Sequence, residues 1–236
     1  MWFTAGVSPP TTKCETLQQV FRHLYPKCGT LKPERGISPL FFCKGYIDMA
    51  IRFDNFGFYN IDIDYLKYLH NIDPEVQFDA NKLYDRKPFL GILVMIGEFN
   101  YFLPLTSSKP KHSKWKNVGT AHYLIYEQVN KTELNQRDVF KSISPSEALK
   151  LFAALDIKKM IPVPEGLYNR VDFSKLSDTK YRDLLEKEYR FCQKIQNGIL
   201  SKASLIYKEQ KSSGVVHKLY CNFTLLENAS KEYNCQ

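Results

Sequence analysis

No stretch of this chain approaches the roughly 18 to 20 consecutive apolar residues that would cross a bilayer, and its start, Met1-Trp2-Phe3-Thr4, lacks the basic flank and apolar run of a signal peptide. A soluble, cytoplasmic protein with no membrane partner is expected. The six cysteines, at 14, 28, 43, 192, 221 and 235, include no C-x-x-C pair, and the chain is long enough to build a core without cross-links, so they read as free thiols. A zinc site from Cys14, Cys28, Cys43 and His23 would need spacings of about fourteen residues, unlike those of known zinc modules. Phosphate-binding loops of the form G-x-x-x-x-G-K-[ST] or G-x-G-x-x-G are missing. So are a G-x-S-x-G elbow and a carboxylate cluster of the kind that holds Mg²⁺ in nucleases, and no His and Asp are placed to complete a serine triad. Any chemistry is expected to need neither metal nor cofactor. No helix-turn-helix signature speaks for a DNA-binding module.

What is present is a foldable, basic chain. Hydrophobic residues make up 44% of the 236, which excludes intrinsic disorder and suits one large domain or a domain with an appendage. Lys and Arg number 33 against 25 Asp and Glu, and the resulting charge of +8 points to a polyanionic partner, nucleic acid or an acidic surface.

Residues 1–48 differ from the rest. They hold five of the twelve prolines and three of the cysteines, with one helix-like piece at 15–25, and Lys13-Cys14-Glu15-Thr16-Leu17 returns fourteen residues later as Lys27-Cys28-Gly29-Thr30-Leu31. Residues 49–236 carry the structural signals. A short apolar strand at 58–61 precedes Tyr65, Leu66, Tyr68 and Leu69 at helical spacing behind Asp62 or Asp64 as N-cap. Apolar runs at 89–96 and 99–105 around Gly97-Glu98 predict a hairpin, and a third strand is expected at 122–129. Ser144-Pro145-Ser146-Glu147 has capping-box form and predicts a helix to about Leu155, followed by a strand at 157–163. The last third reads as helical. Ser177 or Asp178 caps a first segment that Gly198 stops, a second runs over about 199–211, and a third over about 223–232. Connections too short for βαβ crossovers make this an α+β domain on a twisted antiparallel sheet or open barrel, with surrounding helices.

The informative stretch is 99–126, which contains no Asp or Glu but holds Lys109, Lys111, Lys114, Lys116, His112, His122 and Trp115. A loop with cations, hydroxyls and an exposed aromatic can hold a phosphodiester backbone while stacking a base, although a lysine-rich turn can also be merely solvated. Within it Thr106-Ser107-Ser108-Lys109 sets hydroxyls beside a positive charge at a strand end, a pairing that binds phosphate or activates a nucleophile. Lys202 and Lys208 add cations further along the chain.

Five ordered landmarks then carry a family resemblance. They are Phe58-Tyr59-x-Ile61 leading to Tyr65-Leu66-Lys67-Tyr68-Leu69; Lys87-Pro88-Phe89-Leu90-Gly91-Ile92; Tyr101-x-x-Pro104-Leu105-Thr106-Ser107-x-Lys109; Met160-Ile161-Pro162; and Cys221-Asn222-Phe223-Thr224-Leu225-Leu226-Glu227. From Phe58 almost to the C-terminus the chain resembles the ToxN/AbiQ endoribonuclease toxins of bacterial type III toxin-antitoxin systems. The resemblance implies a fold like that of the plasmid-addiction RNase toxins. It also implies metal-independent cleavage of cellular or phage RNA by 2′-OH attack, leaving 2′,3′-cyclic phosphate and 5′-OH ends. By matching position, Thr106 and Ser107 would engage the 2′-OH and phosphate, while Lys87 and Lys109 stabilise charge or shuttle a proton. Tyr65 and Tyr84 match positions near that site, where each would stack on a base or bind phosphate, Tyr65 reading equally as a core residue of its helix. Lys111, His112, Lys114, Trp115 and Lys116 would contact RNA.

The implied partner is a repeat-derived, pseudoknotted RNA antitoxin in a closed toxin–RNA assembly, and the implied role is phage abortive infection or locus maintenance. A non-catalytic RNA-binding protein using the same basic groove is the alternative. Two departures stand out. The segment before Met160 is longer than the resemblance leads one to expect, with the Ser144-capped helix inserted, and residues 1–48 have no counterpart. In such loci antitoxin repeats precede the toxin gene, so the repeated Lys-Cys-x-Thr-Leu reads either as an over-extended reading frame with Met49 as the start or as coincidence in an ordinary, poorly ordered N-terminal extension.

Overall fold

The computed structural model describes residues 51–53, 55–79 and 90–233, so the expectations for residues 1–48, Tyr84 and Lys87 lie outside the described residues. Short β1 (Ile51–Arg52) precedes β2 (Phe58–Ile61). The Asp62 carboxylate accepts the Tyr65 N–H at 2.9 Å, relieving one of the unpaired donors of the first turn and opening α1 (Ile63–Ile72). β3 (Leu90–Ile96) and β4 (Phe99–Ser107) form the expected hairpin in continuous register from Leu90 opposite Leu105 to Ile96 opposite Phe99. Its turn rests on Gly97 at φ 62°, a left-handed conformation that glycine adopts without a Cβ clash. A 3₁₀ turn at Pro110–Lys114 leads to β5 (His122–Asn130), β6 (Val139–Ser142) and β7 (Glu147–Asp156). Then come β8 (Ile161–Pro162), β9 (Tyr168–Arg170), α2 (Thr179–Lys194), α3 (Gln196–Ser213) and α4 (Phe223–Tyr233).

Among the described residues the nine strands make one antiparallel sheet in the order β5-β7-β4-β3-β2-β9, with β1 on β3, β6 on β7 and β8 on β4. The sheet is open, and the class is α+β as read. Phe58, Ile92, Tyr101 and Phe102 from the strands share one core with Leu66 of α1, Leu185 of α2, Ile199 of α3 and Phe223 of α4. One buried charge in this core is a hydrogen-bonded node. Glu227 is 5% exposed; its Oε1 accepts the hydroxyls of Tyr101 at 2.8 Å and Tyr207 at 2.7 Å, and its Oε2 takes the Lys211 ammonium at 2.6 Å. Burial and the adjacent carboxylate push both tyrosine pKa values up, so the hydroxyls stay protonated donors. No helix among the described residues is long and apolar enough to cross a membrane.

Three expectations are corrected. The helix from Ser144 to about Leu155 is instead the turn into β7. Ser144 Oγ does accept the Glu147 N–H at 3.0 Å, as a cap would, but Ile143 and Ser144 donate their N–H groups back to Glu147 O, closing a β6–β7 hairpin. Glu147 takes the Gln128 amide at 3.0 Å rather than completing a capping box. The same local hydrogen bond serves turn and helix, and strands on both sides of β7 decide between them. The strand expected at 157–163 is a 3₁₀ turn, Ile157–Lys159, followed by the two residues of β8. Gly198 does not stop a helix. It lies inside α3, where an added Cβ would sit 2.6 Å from the Tyr123 hydroxyl, so the glycine serves close packing; the break falls at Ile195.

Candidate active site

The end of β4 changes neighbours. β3 pairs it up to Leu105, and β7 takes over with Leu105 opposite Leu155, Thr106 opposite Ala154 and Ser107 opposite Ala153. β7 is itself irregular. Ile125 of β5 faces Ala153 and Tyr126 faces Leu151, so Phe152 is left over as a bulge, the kind of irregularity that redirects a chain beside a site. On its other side β7 pairs with β6 only as far as Leu151 and with β4 only from Ala153. Ser108 fills this gap, donating its N–H to Phe152 O at 2.9 Å and its hydroxyl to Leu151 O at 2.8 Å.

Adjacent hydroxyls therefore have different fates. Ser108 is committed to the scaffold. Half-buried Thr106 donates Oγ1–H to Ala154 O at 3.2 Å, which orients the hydroxyl and leaves its oxygen free to accept. Ser107 is exposed, and its hydroxyl has no partner among the described residues. Lys109 is exposed too, its ammonium unpaired among the described residues while its backbone is fixed from both sides. Its N–H donates to His112 Nδ1 at 3.1 Å and its carbonyl accepts the His112 N–H at 2.8 Å.

The turn that follows carries the cations. Lys111, Lys114 and Lys116 are exposed, as an RNA-facing surface requires. Trp115 is half-buried between the rings of His112 at 4.5 Å and His122 at 4.7 Å, with the Lys111 ammonium 5.7 Å from its centroid. Lys141 of β6 holds the loop by donating to Trp115 O at 2.7 Å and Asn117 Oδ1 at 2.6 Å. Among the described residues no three His, Cys, Asp or Glu side chains gather as a metal site would require.

Two sequence expectations do not fit this geometry. His112 is 3% exposed, and burial, then Lys111 and Lys109, lower its pKa; it is a neutral clasp for the turn, with Nδ1 used as acceptor, rather than an RNA contact. Tyr65 is fully buried and donates its hydroxyl to Pro162 O at 2.7 Å, so its ring belongs to the core and offers no face to a base. Lys141 and Lys158 escaped notice in the sequence. They lie far along the chain from 106–116, and a lone surface-type lysine carries no local signal.

A strand end that presents a free hydroxyl, an oriented hydroxyl and an ammonium, inside a stretch without acids, has the groups that a phosphodiester site needs. The fold agrees with solved relatives. One is from work on type III toxin-antitoxin systems in which a non-coding RNA pseudoknot selectively inhibits the toxin; it matches with TM-score 0.57 at 24% identity over 78% of this chain and 100% of that one. Another, the lactococcal anti-phage endoribonuclease AbiQ, matches with TM-score 0.54 at 19% identity over 77% and 99%. In sequence the chain is 28% identical over 189 residues to Endoribonuclease ToxN of Bacillus thuringiensis subsp. kurstaki, covering 76% of this chain and 85% of that protein. It is 28% identical over 180 residues to Endoribonuclease ToxN of Pectobacterium atrosepticum, covering 75% and 92%. The family model described as toxin ToxN, type III toxin-antitoxin system, matches residues 57–231. The chain belongs to the ToxN toxin family of type III toxin-antitoxin systems.

Proposed function

We propose that this protein is a metal-independent endoribonuclease toxin that cuts cellular or phage RNA and is held inactive by a repeat-derived, pseudoknotted RNA antitoxin in a closed assembly, acting in the bacterial cytoplasm in phage abortive infection or locus maintenance. Relatives named endoribonucleases support the activity, and the solved relative inhibited by an RNA pseudoknot supports the partner. The observation that carries the reading is the contrast at 106–108: the neighbouring serine is tied to the sheet while the Ser107 hydroxyl stands free beside an oriented Thr106 and the Lys109 ammonium.

The chemistry needs a group that accepts the 2′-OH proton, a proton for the departing 5′-oxygen and positive charge around the pentavalent phosphate. Thr106 Oγ1, whose proton already points to Ala154 O, accepts a hydrogen bond from the 2′-OH and orients it, and as attack begins the 2′-OH proton passes to a non-bridging phosphate oxygen, from which it is lost to solvent. Ser107 donates to a non-bridging phosphate oxygen. The 2′-oxygen attacks phosphorus, the bond to the 5′-oxygen breaks, and Lys109 or Lys87 stabilises the charge or passes the proton to the leaving oxygen. Lys87 stands three residues before Leu90, whose backbone faces Leu105 beside this pair. The products are a 2′,3′-cyclic phosphate and a 5′-hydroxyl.

The test is end chemistry in EDTA. Purified protein should yield cyclic-phosphate fragments from RNA, and Ser107→Ala should not. RNA that binds tightly yet stays intact would favour the non-catalytic RNA-binding alternative.

A further inference from the structure

A cleft of about 590 Å³ is lined by Trp115, Lys116 and Val118 of the loop after the turn, His122 of β5, Lys158 from the β7–β8 connection and Lys202 from α3. Its size is that of a small-ligand site. The walls divide by chemistry. Trp115 and His122 present rings whose centroids are 4.7 Å apart at 49°, and Val118 adds an apolar side chain 58% exposed at the mouth. Against them stand three ammonium groups. Lys158 is neutralised by Asp156 at 2.6 Å and lies 5.8 Å from the Trp115 centroid, while Lys116 and Lys202 have no carboxylate partner among the described residues. Lys202 spends one donor on Gly119 O at 2.7 Å and keeps two.

The loop forming the cleft is held from two directions, by Lys141 of β6 at Trp115 and Asn117 and by Lys202 of α3 at Gly119. A merely solvated lysine turn needs no such pinning, whereas a binding site gains from being formed in advance. The Trp115 wall is tied to the turn after Ser107, since the Lys109 N–H donates to His112, whose ring packs on Trp115. An aromatic wall facing two cations without a carboxylate partner among the described residues suits a base joined to phosphate.

We propose that this cleft is a nucleotide-binding subsite that takes one nucleotide flanking the phosphate at Ser107, and so selects which RNA sequences are cut. The flanking role rests on the ribonuclease reading above; the binding role does not. The base lies along the Trp115–Val118 wall, and Lys116 and Lys202 take its phosphates.

The chain has two tryptophans, so Trp2→Phe leaves Trp115 as sole fluorescent reporter. In the full-length Trp2→Phe, Ser107→Ala protein, titration with penta-adenylate and penta-uridylate should quench Trp115 saturably. Val118→Glu, at an exposed position safe for folding, and Lys202→Ala should each weaken that binding roughly five- to tenfold, the scale of one lost base contact. Leu205→Glu places the same charge on α3 at a site 66% exposed outside the cleft and should change affinity by no more than roughly twofold. Equal weakening by Leu205→Glu would reduce the effect to diffuse charge and overturn the proposal, as would saturable binding unaffected by Val118→Glu. With Ser107 intact, Val118→Glu should shift the preferred cleavage positions while the fragments keep cyclic-phosphate ends. Unchanged positions and efficiency would overturn the subsite and leave the ribonuclease standing. Absence of cleavage in every version would instead remove the ribonuclease reading, and the fluorescence titration would then decide the cleft alone.

Discussion

Glu227 and Ser107 sit on opposite sides of one principle. Around Glu227, three donors meet one buried carboxylate and no polar atom of that carboxylate is left over. At Ser107 a hydroxyl and a neighbouring ammonium are left open on a strand end whose backbone is fully engaged. The first arrangement holds helices α3 and α4 to the sheet. The second holds nothing, so what it keeps free is available to a substrate. Glu188 on α2 supplies a third case, a carboxyl 4% exposed with no hydrogen-bond or ion-pair partner among the described residues, and there burial alone raises its pKa to about 8.

Mutation should separate these cases sharply. Ser107→Ala should lower cleavage by roughly 10²–10³-fold, the usual worth of one donor to a developing oxyanion, while urea denaturation shifts by only a few tenths of a kcal/mol. Growth arrest by the Ala variant at equal expression would remove Ser107 from the chemistry. Glu227→Ala should do the reverse at its root, costing about 3–5 kcal/mol of stability by stranding the Lys211 ammonium and two buried hydroxyls. A wild-type denaturation midpoint in that variant would show the node to be dispensable.

Lys109→Ala and Lys87→Ala should each slow cleavage, and Arg at either position should restore only part of the rate, because a planar fork does not reproduce a compact ammonium. Full rates in both Arg variants would leave these lysines as RNA attractors only. For Glu188 the sign follows from the raised pKa. The folded state keeps the proton through neutral pH, so the group costs stability progressively as pH rises from the ordinary carboxylate range through about 8. Glu188→Gln should therefore melt like wild type near pH 4 and gain at pH 9, where each kcal/mol recovered adds about 2–4 °C to Tm. Equal melting curves at pH 9 would mean that Glu188 reaches a partner. The smallest effect belongs to the exposed cations. Lys111→Ala or Lys114→Ala should flatten the salt dependence of RNA binding by about 0.7 in log–log slope per lost phosphate contact. An unaltered slope in filter binding would place that lysine off the RNA path.

The same distinction explains what could be read in advance. The β3–β4 hairpin, the Asp62 and Asp178 caps and the C-terminal helices are set by local periodicity and capping chemistry, and they stand where the residues put them. Thr106, Ser107 and Lys109 could be named as candidates because they fall within four residues of one another. Segment 147–155 was not legible, because its Ala and Leu content and Ser144 turn satisfy helix and strand alike until β4, β5 and β6 supply ladder partners. Nor was the difference between Ser107 and Ser108, which depends on a gap opposite Phe152 in a strand forty-odd residues away. Tyr65 and His112 carried functional-looking chemistry but are buried, the Tyr65 hydroxyl donating to Pro162 O and His112 Nδ1 accepting the Lys109 N–H.

The β6–β7 hairpin has a consequence for divergence. Its Lys141 fixes the loop at Trp115 and Asn117, and β6 pairs with β7 only from Ala148 to Leu151, short of the Ala153–Leu155 stretch that pairs with β4 beside Ser107. Its outer residues, 130–147, lie at the surface, where changes in length and composition are tolerated. Under the subsite proposed above, choice of RNA and cutting chemistry would rest on separable parts, the one on a loop braced by a surface ribbon and the other on the β4–β7 pairing.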